Sequence, residues 1–371
     1  MNGELENKLM ILSGRAGRNF SERVVKHLKE TEKVSPEFGL GKLKIGNFPN
    51  RELNFTLEEN VRKKTVYVIQ SVRQGPRESI YLHEDIFEVF TLNDLLMRAG
   101  ARDIVNIWLN KPYLRQDRKA DGREPIGAKL MFNLSVASAG GILKRVVVGD
   151  MHNEAGQGLA DIPIDNVPSS PLFLAYYKNL PELYGKDVVI VSPDVGGVKR
   201  ARNFAKMYGA ELAIIDKLRK KGEEAETLNL IGDVKGKYCI LIDDMIDTGG
   251  SLINAGKLLK EKGAVKIYAC ATHGLFDKKG EHDMFAEQRF YEAGINVLVT
   301  DTIMRDQNYR DTSYKWLNTV SFAPMIGDVI YCDFTGESVS SVLKDYMDRA
   351  IKGTLDIDKY LIKVDPKEIE L

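Results

Sequence analysis

The sequence predicts an α/β protein built on mainly parallel sheets. Three observations carry that expectation. Short apolar runs alternate with segments of helical period along most of the chain, which is the pattern of crossover units. The runs are continuously apolar, as strands covered on both faces are. Stretches of the first half also return in the second half in the same order, so two copies of one α/β domain are expected.

Taken in order, "KLMILSG" reads as a strand and "SERVVKHLKE" as the helix after it. "TVYVIQS" leads into the helical "EDIFEVFTLNDLLMRAG", then "DIVNIWL" and "RVVVGD" read as strands. "DVVIVSPD" precedes the helical "VKRARNFAKMYG", and "YCILIDD" precedes "SLINAGKLLKEKG". The echo is clearest where "LLMRAGARDI" at 95 to 104 aligns with "LLKEKGAVKI" at 258 to 267, each a helix ending at glycine before a new strand. "VRKKTVYVIQS" likewise echoes "VKGKYCILIDD", and "RVVVGD" echoes "NVLVTD". The break falls near "DNVPSSPLF", where Pro168 and Pro171 interrupt both periodicities. Domains of 1–167 and 168–335 follow, with 336–371 as a C-terminal helix and tail that packs back on the first domain.

A chain of 371 residues has room for two cores of ordinary size. With 53 basic and 53 acidic side chains there is no global field for nucleic acid or an anionic membrane, so any anion site is local. Cys239, Cys270 and Cys332 lie in apolar, strand-like runs without metal spacing and read as buried reduced thiols. The N-terminal "MNGELENKLM" is polar and acidic, and no apolar run has membrane-spanning length, so a cytoplasmic protein is expected.

The densest chemistry lies in "YCILIDDMIDTGGSLINAG", residues 238 to 256. Asp243 and Asp244 would emerge at the carboxyl end of a parallel strand, where open α/β sheets bind ligands. Adjacent carboxylates there need hydroxyl donors or a magnesium-organised ligand. Thr248, Gly249, Gly250 and Ser251 lead into a helix, so their N–H groups and hydroxyls can converge on a phosphate. The plainer alternative is an aspartate-rich turn, with Ser251 capping a helix over 251 to 262. Where the second copy carries "DDMIDTGGS", the first carries "QSVRQGPRES". Only one copy holds such a site. "YLRQDRK" follows another strand and puts Arg115, Gln116 and Asp117 at its carboxyl end, where the Arg115 fork suits phosphate oxygens; a solvated basic loop is the other reading.

The loop at 243 to 251 resembles that of type I phosphoribosyltransferases and of ribose-phosphate pyrophosphokinases. "NFPNRE" at 47 to 52, "YLRQDRKADGREPIGAKL" at 113 to 130, "GDMHNEAGQGLADIPIDN" at 149 to 166, "SPDVGGVKRARNFA" at 192 to 205, "KLRKK" at 217 to 221 and "GESVSSVL" at 336 to 343 resemble the pyrophosphokinases. The likeness runs over about residues 9 to 345. It implies two tandem type I phosphoribosyltransferase-like domains and the transfer of diphosphate from MgATP to the C1 hydroxyl of ribose 5-phosphate. The products would be phosphoribosyl pyrophosphate and AMP. A phosphoribosyltransferase and a catalytically silent regulatory paralogue are the alternatives.

On this resemblance Phe48 stacks on adenine, Asn50 and Glu52 read its polar edge, and Arg51 completes the ATP segment with Arg115, Gln116 and Asp117. A lone phenylalanine would otherwise be read as core, and Asn50 stands where some members carry aspartate. His152 and Asp194 lie near magnesium, with Asp150 a further candidate; an isolated histidine would otherwise be read as packed. Lys217 and Arg219, on a loop between strands, serve the reacting phosphates, Arg219 reaching ribose 5-phosphate as well. Asp243 and Asp247 take the ribose hydroxyls, Asp244 stands with them in the ribose 5-phosphate set, and Thr248, Gly249, Gly250 and Ser251 take the 5-phosphate. A homo-oligomer with the ATP site at a subunit interface is expected. The segment 304–334 and the tail after 353 are assigned no role.

Overall fold

The structure is a computed structural model that describes residues 6–74, 81–119, 121–218, 227–278, 280, 284–305 and 316–362. The chain divides into two compact units. The first takes Met1–Pro168, Asp301–Arg310 and Phe322–Leu343, and the second Ser169–Thr300, Asp311–Ser321 and Lys344–Leu371.

The first unit opens with β1 (Leu9–Ser13) and α1 (Arg18–Glu30), whose Phe20, Val24, Val25 and Leu28 form the buried stripe. β2 (Leu43–Asn47) and β3 (Leu53–Leu57) form a separate antiparallel hairpin. There follow β4 (Thr65–Gln70), β5 (Arg73–Gln74), α2 (Leu82–Ala99), β6 (Asp103–Trp108), α3 (Gly127–Ser138), β7 (Leu143–Gly149) and β8 (Ile164–Val167). Gly100, at φ +81, ends α2 in the left-handed conformation that a helix stop before a strand favours. The sheet is ordered β1-β4-β6-β7-β8, and all its neighbours are parallel. Every residue of β1 and β4 is buried, as expected for strands covered on both faces.

The second unit begins with α4 (Ser170–Lys178) and β9 (Val188–Ser192), followed by α5 (Val198–Tyr208), β10 (Glu211–Leu218) and β11 (Thr227–Ile231). β12 (Tyr238–Ile246), α6 (Gly250–Glu261), β13 (Lys266–Gly274), α7 (Ala286–Ala293) and β14 (Asn296–Thr300) complete its centre, and Leu317–Val320 is its last strand. The order is β11-β10-β9-β12-β13-β14 and then Leu317–Val320, with β11 alone antiparallel.

The echo in the sequence is an echo in topology. β9, β12, β13, β14 and Leu317–Val320 repeat the order of β1, β4, β6, β7 and β8, with β10 and β11 added at one edge. α6 also stops before a left-handed glycine, Gly263 at φ +86, as α2 stops before Gly100.

The chain exchanges a helix between the copies. β8 closes the first sheet, yet the following α4 is counted with the second unit; Leu317–Val320 closes the second sheet, yet the helix Ala323–Thr335 is counted with the first. That helix therefore lies outside the unit to which the sequence boundary at 335 gave it. Cys332 sits in it, in a helix instead of the strand its apolar neighbours suggested. All three cysteines are buried free thiols. The helix Val339–Lys352 continues across the boundary between units at Leu343.

Candidate active site

In the second unit the strand that carries the acids is longer than its apolar run. β12 continues through Asp243 and Asp244 to Ile246, paired in parallel with β13 as far as Ile246 against Gly274. Asp244 is buried at 4% exposure, and its N–H donates to Asp243 Oδ1 at 2.9 Å. Burial raises the Asp243 pKa well above the usual carboxylate range, and the neighbouring charges of Asp244 and then Asp194 raise it further. Asp194 follows β9 on the adjacent strand, where Gly197 N–H donates to its Oδ1 at 2.9 Å. The unit thus gathers three acids from two strand ends.

The chain then turns through Asp247 and Thr248 into α6, with Gly249 at φ +70 as the residue before the helix. A Cβ at Gly249 would lie 2.6 Å from Phe290 Cε2, so this turn needs glycine for its dihedral and for its space. The helix starts at Gly250, which places Ser251 in the first turn instead of at the cap position. That is the geometry of an anion cradle: N–H groups at a helix start behind a close-approach glycine, with carboxylates on the strand side.

Lys217 does not stand in a loop. Its backbone is the penultimate residue of β10, paired with Leu228 of β11. Arg219, the other cation singled out in the sequence, lies outside the described residues.

In the first unit, the tip of the β2–β3 hairpin carries Phe48, Asn50, Arg51 and Glu52. Phe48 is 49% exposed, large for an aromatic ring that no core claims. Phe48 N–H donates to the Glu52 carbonyl at 2.8 Å and Arg51 N–H to the Phe48 carbonyl at 2.8 Å, which closes the tip. Arg51 is held at φ +72. After β6, Tyr113 is held at φ +66, Gln116 N–H donates to the Tyr113 carbonyl at 3.0 Å, and Arg115 and Gln116 are exposed. After β7, Asp150 is buried at φ +41 and His152 is exposed. Asn153 Nδ2 donates to Asp117 Oδ2 at 2.8 Å, joining the segment after β7 to the segment after β6. Such left-handed backbone costs about 1–3 kcal/mol at each non-glycine residue, and Arg51 and Tyr113 adopt it in two of the segments singled out for ATP, as Asp150 does in the segment singled out for magnesium.

His152 and Asp150 belong to the first unit and Asp194 to the second. Among the described residues no three His, Cys, Asp or Glu side chains converge on one cation position. Magnesium in nucleotide enzymes is commonly held by one or two carboxylates together with waters and substrate phosphates, and each unit by itself offers such a carboxylate, Asp150 in the first and Asp194 in the second.

Three residues that sequence reasoning passed over stand beside these segments. Arg289 of α7 donates from Nη1 to the Thr248 carbonyl at 2.9 Å. Asp277, in the loop after β13, is hydrogen-bonded to Asp247. Lys111 lies just before the "PYLRQD" turn, 3% exposed, and its Nζ has no hydrogen-bond partner. The signal for Asp277 was its place beyond a strand end, where the second half already had an acid site. Arg289 reads in sequence as an ordinary charged helix residue.

Residues 9–140 match the family profile of the N-terminal domain of ribose phosphate pyrophosphokinase, and residues 218–344 that of the phosphoribosyl synthetase-associated domain. A ribose-phosphate pyrophosphokinase of Thermosipho africanus is 38% identical over 326 residues, covering 88% of this chain and 94% of the relative. One of Gloeobacter violaceus is 39% identical over 340 residues, covering 91% and 94%. The crystal structure of phosphoribosylpyrophosphate synthetase from Mycobacterium smegmatis superposes with a TM-score of 0.77 at 33% identity, covering 89% of this chain and 99% of that one.

Proposed function

This chain belongs to the ribose-phosphate pyrophosphokinase family, and we propose that it transfers the β,γ-diphosphoryl group of MgATP to the C1 hydroxyl of ribose 5-phosphate, releasing AMP. The observation that carries this reading is the cradle from Asp243 to Ser251. It combines acids for sugar hydroxyls with a glycine turn and helix start for a phosphate, and the corresponding stretch of the first copy, "QSVRQGPRES", carries neither the acidic pair nor the glycine doublet in its sequence.

In this reading Asp243 and Asp247 accept hydrogen bonds from the ribose hydroxyls, with Asp244 beside them in the ribose 5-phosphate site. Thr248, Gly249, Gly250 and Ser251 hold the 5-phosphate, so that the C1 hydroxyl faces the β-phosphorus for in-line displacement. Phe48 offers its exposed face to adenine, while Asn50 and Glu52 meet the polar edge of the base and Arg51, Arg115, Gln116 and Asp117 position the nucleotide. Among the described residues the hairpin pairs with no other strand, and the exposed Phe48 at its tip supports an ATP site completed in a homo-oligomer. Asp194, His152 and Asp150 would hold magnesium, whose chemistry when bound is to neutralise charge on the phosphate oxygens. Lys217 and Arg219 stabilise the charge that builds on the transferring group, and Arg219 also reaches ribose 5-phosphate.

Mixing the protein with MgATP and ribose 5-phosphate should yield phosphoribosyl pyrophosphate and AMP in equal amounts. Lys217→Ala should lower turnover by about 10²- to 10³-fold, the effect of losing a transition-state contact of ~3–4 kcal/mol. Unchanged turnover would remove Lys217 from the mechanism. Ribose 5-phosphate binding without product would point to the regulatory paralogue.

A further inference from the structure

We propose that Arg289 is a positioning residue for the phosphate cradle, pinning the Thr248 carbonyl so that the Gly249 N–H is presented to the 5-phosphate. The inference rests on the reading of the cradle as a ribose 5-phosphate site. It starts from a peptide in the turn that lies outside both β12 and α6.

β12 ends at Ile246 and α6 begins at Gly250, so the peptide joining Thr248 to Gly249 belongs to neither element. On its far side the helix takes over at once, since Ile253 N–H donates to the Gly249 carbonyl at 2.9 Å. The Thr248 carbonyl is held from elsewhere in the chain. Arg289 Nη1, 41 residues further on, donates to it at 2.9 Å. A trans peptide is planar, and its carbonyl and N–H point in opposite directions. With the carbonyl drawn toward α7, the Gly249 N–H faces away from that helix.

The orientation of this peptide is a choice between two turns. Gly249 has φ +70 and ψ +2, the second corner of a type II turn. A type I turn differs from it by a half-rotation of this same peptide, and glycine tolerates both forms. Rotation would put the Thr248 carbonyl oxygen, an acceptor, where an anion needs an N–H group. The hydrogen bond from Arg289 favours the form that presents the donor. α7 is a firm support for that bond, because the next residue along it is wedged in the core. Phe290 is fully buried, with its ring edge-on to Phe276 at a centroid distance of 6.3 Å and stacked on Trp316 at 6.4 Å. The same ring would lie 2.6 Å from a Cβ at position 249. Phe290 thus sets how closely the turn approaches α7, and Arg289 sets which way its peptide faces.

Titration calorimetry on the full-length protein, with ribose 5-phosphate and MgATP as separate ligands, tests the tether. Arg289→Met keeps an unbranched stem and removes the donor. Its affinity for ribose 5-phosphate should fall about tenfold, while its affinity for MgATP stays within about twofold of wild type. Arg289→Lys retains a cationic donor and should recover most of the loss. The ratio of wild-type to Arg289→Met affinities should be the same in about 50 mM and about 500 mM salt, because a hydrogen bond that orients a peptide is not screened as a charge acting through solvent is. A ratio that collapses at high salt, equal affinities in the folded variants, or equal losses for both ligands would overturn the tether. Arg289→Ala gives the same comparison should the methionine variant not fold. No binding of ribose 5-phosphate by wild type would instead overturn the reading of the cradle beneath it.

Discussion

Lys111 is a charge-bearing side chain where the fold offers nothing to receive a charge. Its ammonium sits 4.5 Å from the centroid of Phe132 and 4.9 Å from that of Trp108, and no oxygen is within hydrogen-bonding reach. Burial lowers its pKa from 10.5 to about 7. The unfolded chain therefore binds the proton between pH 7 and 10.5 while the folded protein does not, so stability rises with pH through that window and the full penalty remains below it. The two aromatic faces recover part of the cost, since a desolvated cation over a ring gains about 2 kcal/mol. Lys111→Met keeps an unbranched apolar stem and removes the amine. We expect a gain of roughly 1–3 kcal/mol in urea unfolding at pH 7 that narrows toward pH 10. A loss of stability with the wild-type pH slope retained would mean that the ammonium is better satisfied than its surroundings indicate. Nothing in "NKPYLRQD" set this lysine apart from its exposed neighbours, because burial of one side chain depends on how α3 covers the end of β6.

At the scale of elements, the helix Ala323–Thr335 shows how charge holds a packed face. It lies against α1 with Gly327 at the closest approach, where a Cβ would meet His27 Cδ2 at 3.1 Å. Beside that contact Asp328 Oδ1 takes His27 Nε2 at 2.6 Å and is ion-paired with Lys33. Burial alone would raise the Asp328 pKa, but His27 and Lys33 together hold it below 3.8. Its contribution is thus present above the unfolded value and lost as pH falls through the lower folded one. Asp328→Asn should cost about 2 kcal/mol at pH 7 and progressively less below pH 3.8, read from thermal melts. An equal cost at pH 7 and pH 3 would mean that shape, not charge, is what the helix loses. The strands and helices around the cradle were legible because their patterns are local: apolar runs for β9 and β12, and a 3.6-residue period for α5 and α6. Lys217 was misread as loop because "IIDKL" turns polar before its strand ends; the pairing of β10 with β11 that extends it is not local. The cradle could be read because its acids, glycines and hydroxyls are consecutive. Asp277 and Arg289 could not, because their partners lie across a turn and a helix packing.

At the scale of the whole chain, the duplicated topology makes a prediction that two independent domains would not. Each sheet ends in a strand whose following helix is counted with the other unit, so a cut at the boundary near Pro168 removes part of the first unit instead of isolating it. A fragment of residues 1–168 lacks Asp301, Asp328 and Asp333. In the intact first unit these receive Arg23 Nε at 2.9 Å, His27 Nε2 at 2.6 Å, and Tyr67 Oη at 2.7 Å with Arg145 Nε at 3.1 Å. The fragment also uncovers the apolar stripe of α1, whose Val24 and Leu28 are fully buried. Burying such side chains contributes about 1.5–3 kcal/mol each, and a buried charge stripped of its partner costs about 3–5 kcal/mol. Those losses together rival the 5–15 kcal/mol that holds an ordinary domain folded. The fragment should therefore show no cooperative melt by near-ultraviolet circular dichroism. Linking residues 322–343 to its C-terminus through a flexible spacer should restore one, because that segment returns Asp328, Asp333 and the cover on α1. A cooperative melt in the bare fragment would show that the parallel sheet with its own three helices is sufficient, and that the exchanged helix serves something other than the stability of the first unit.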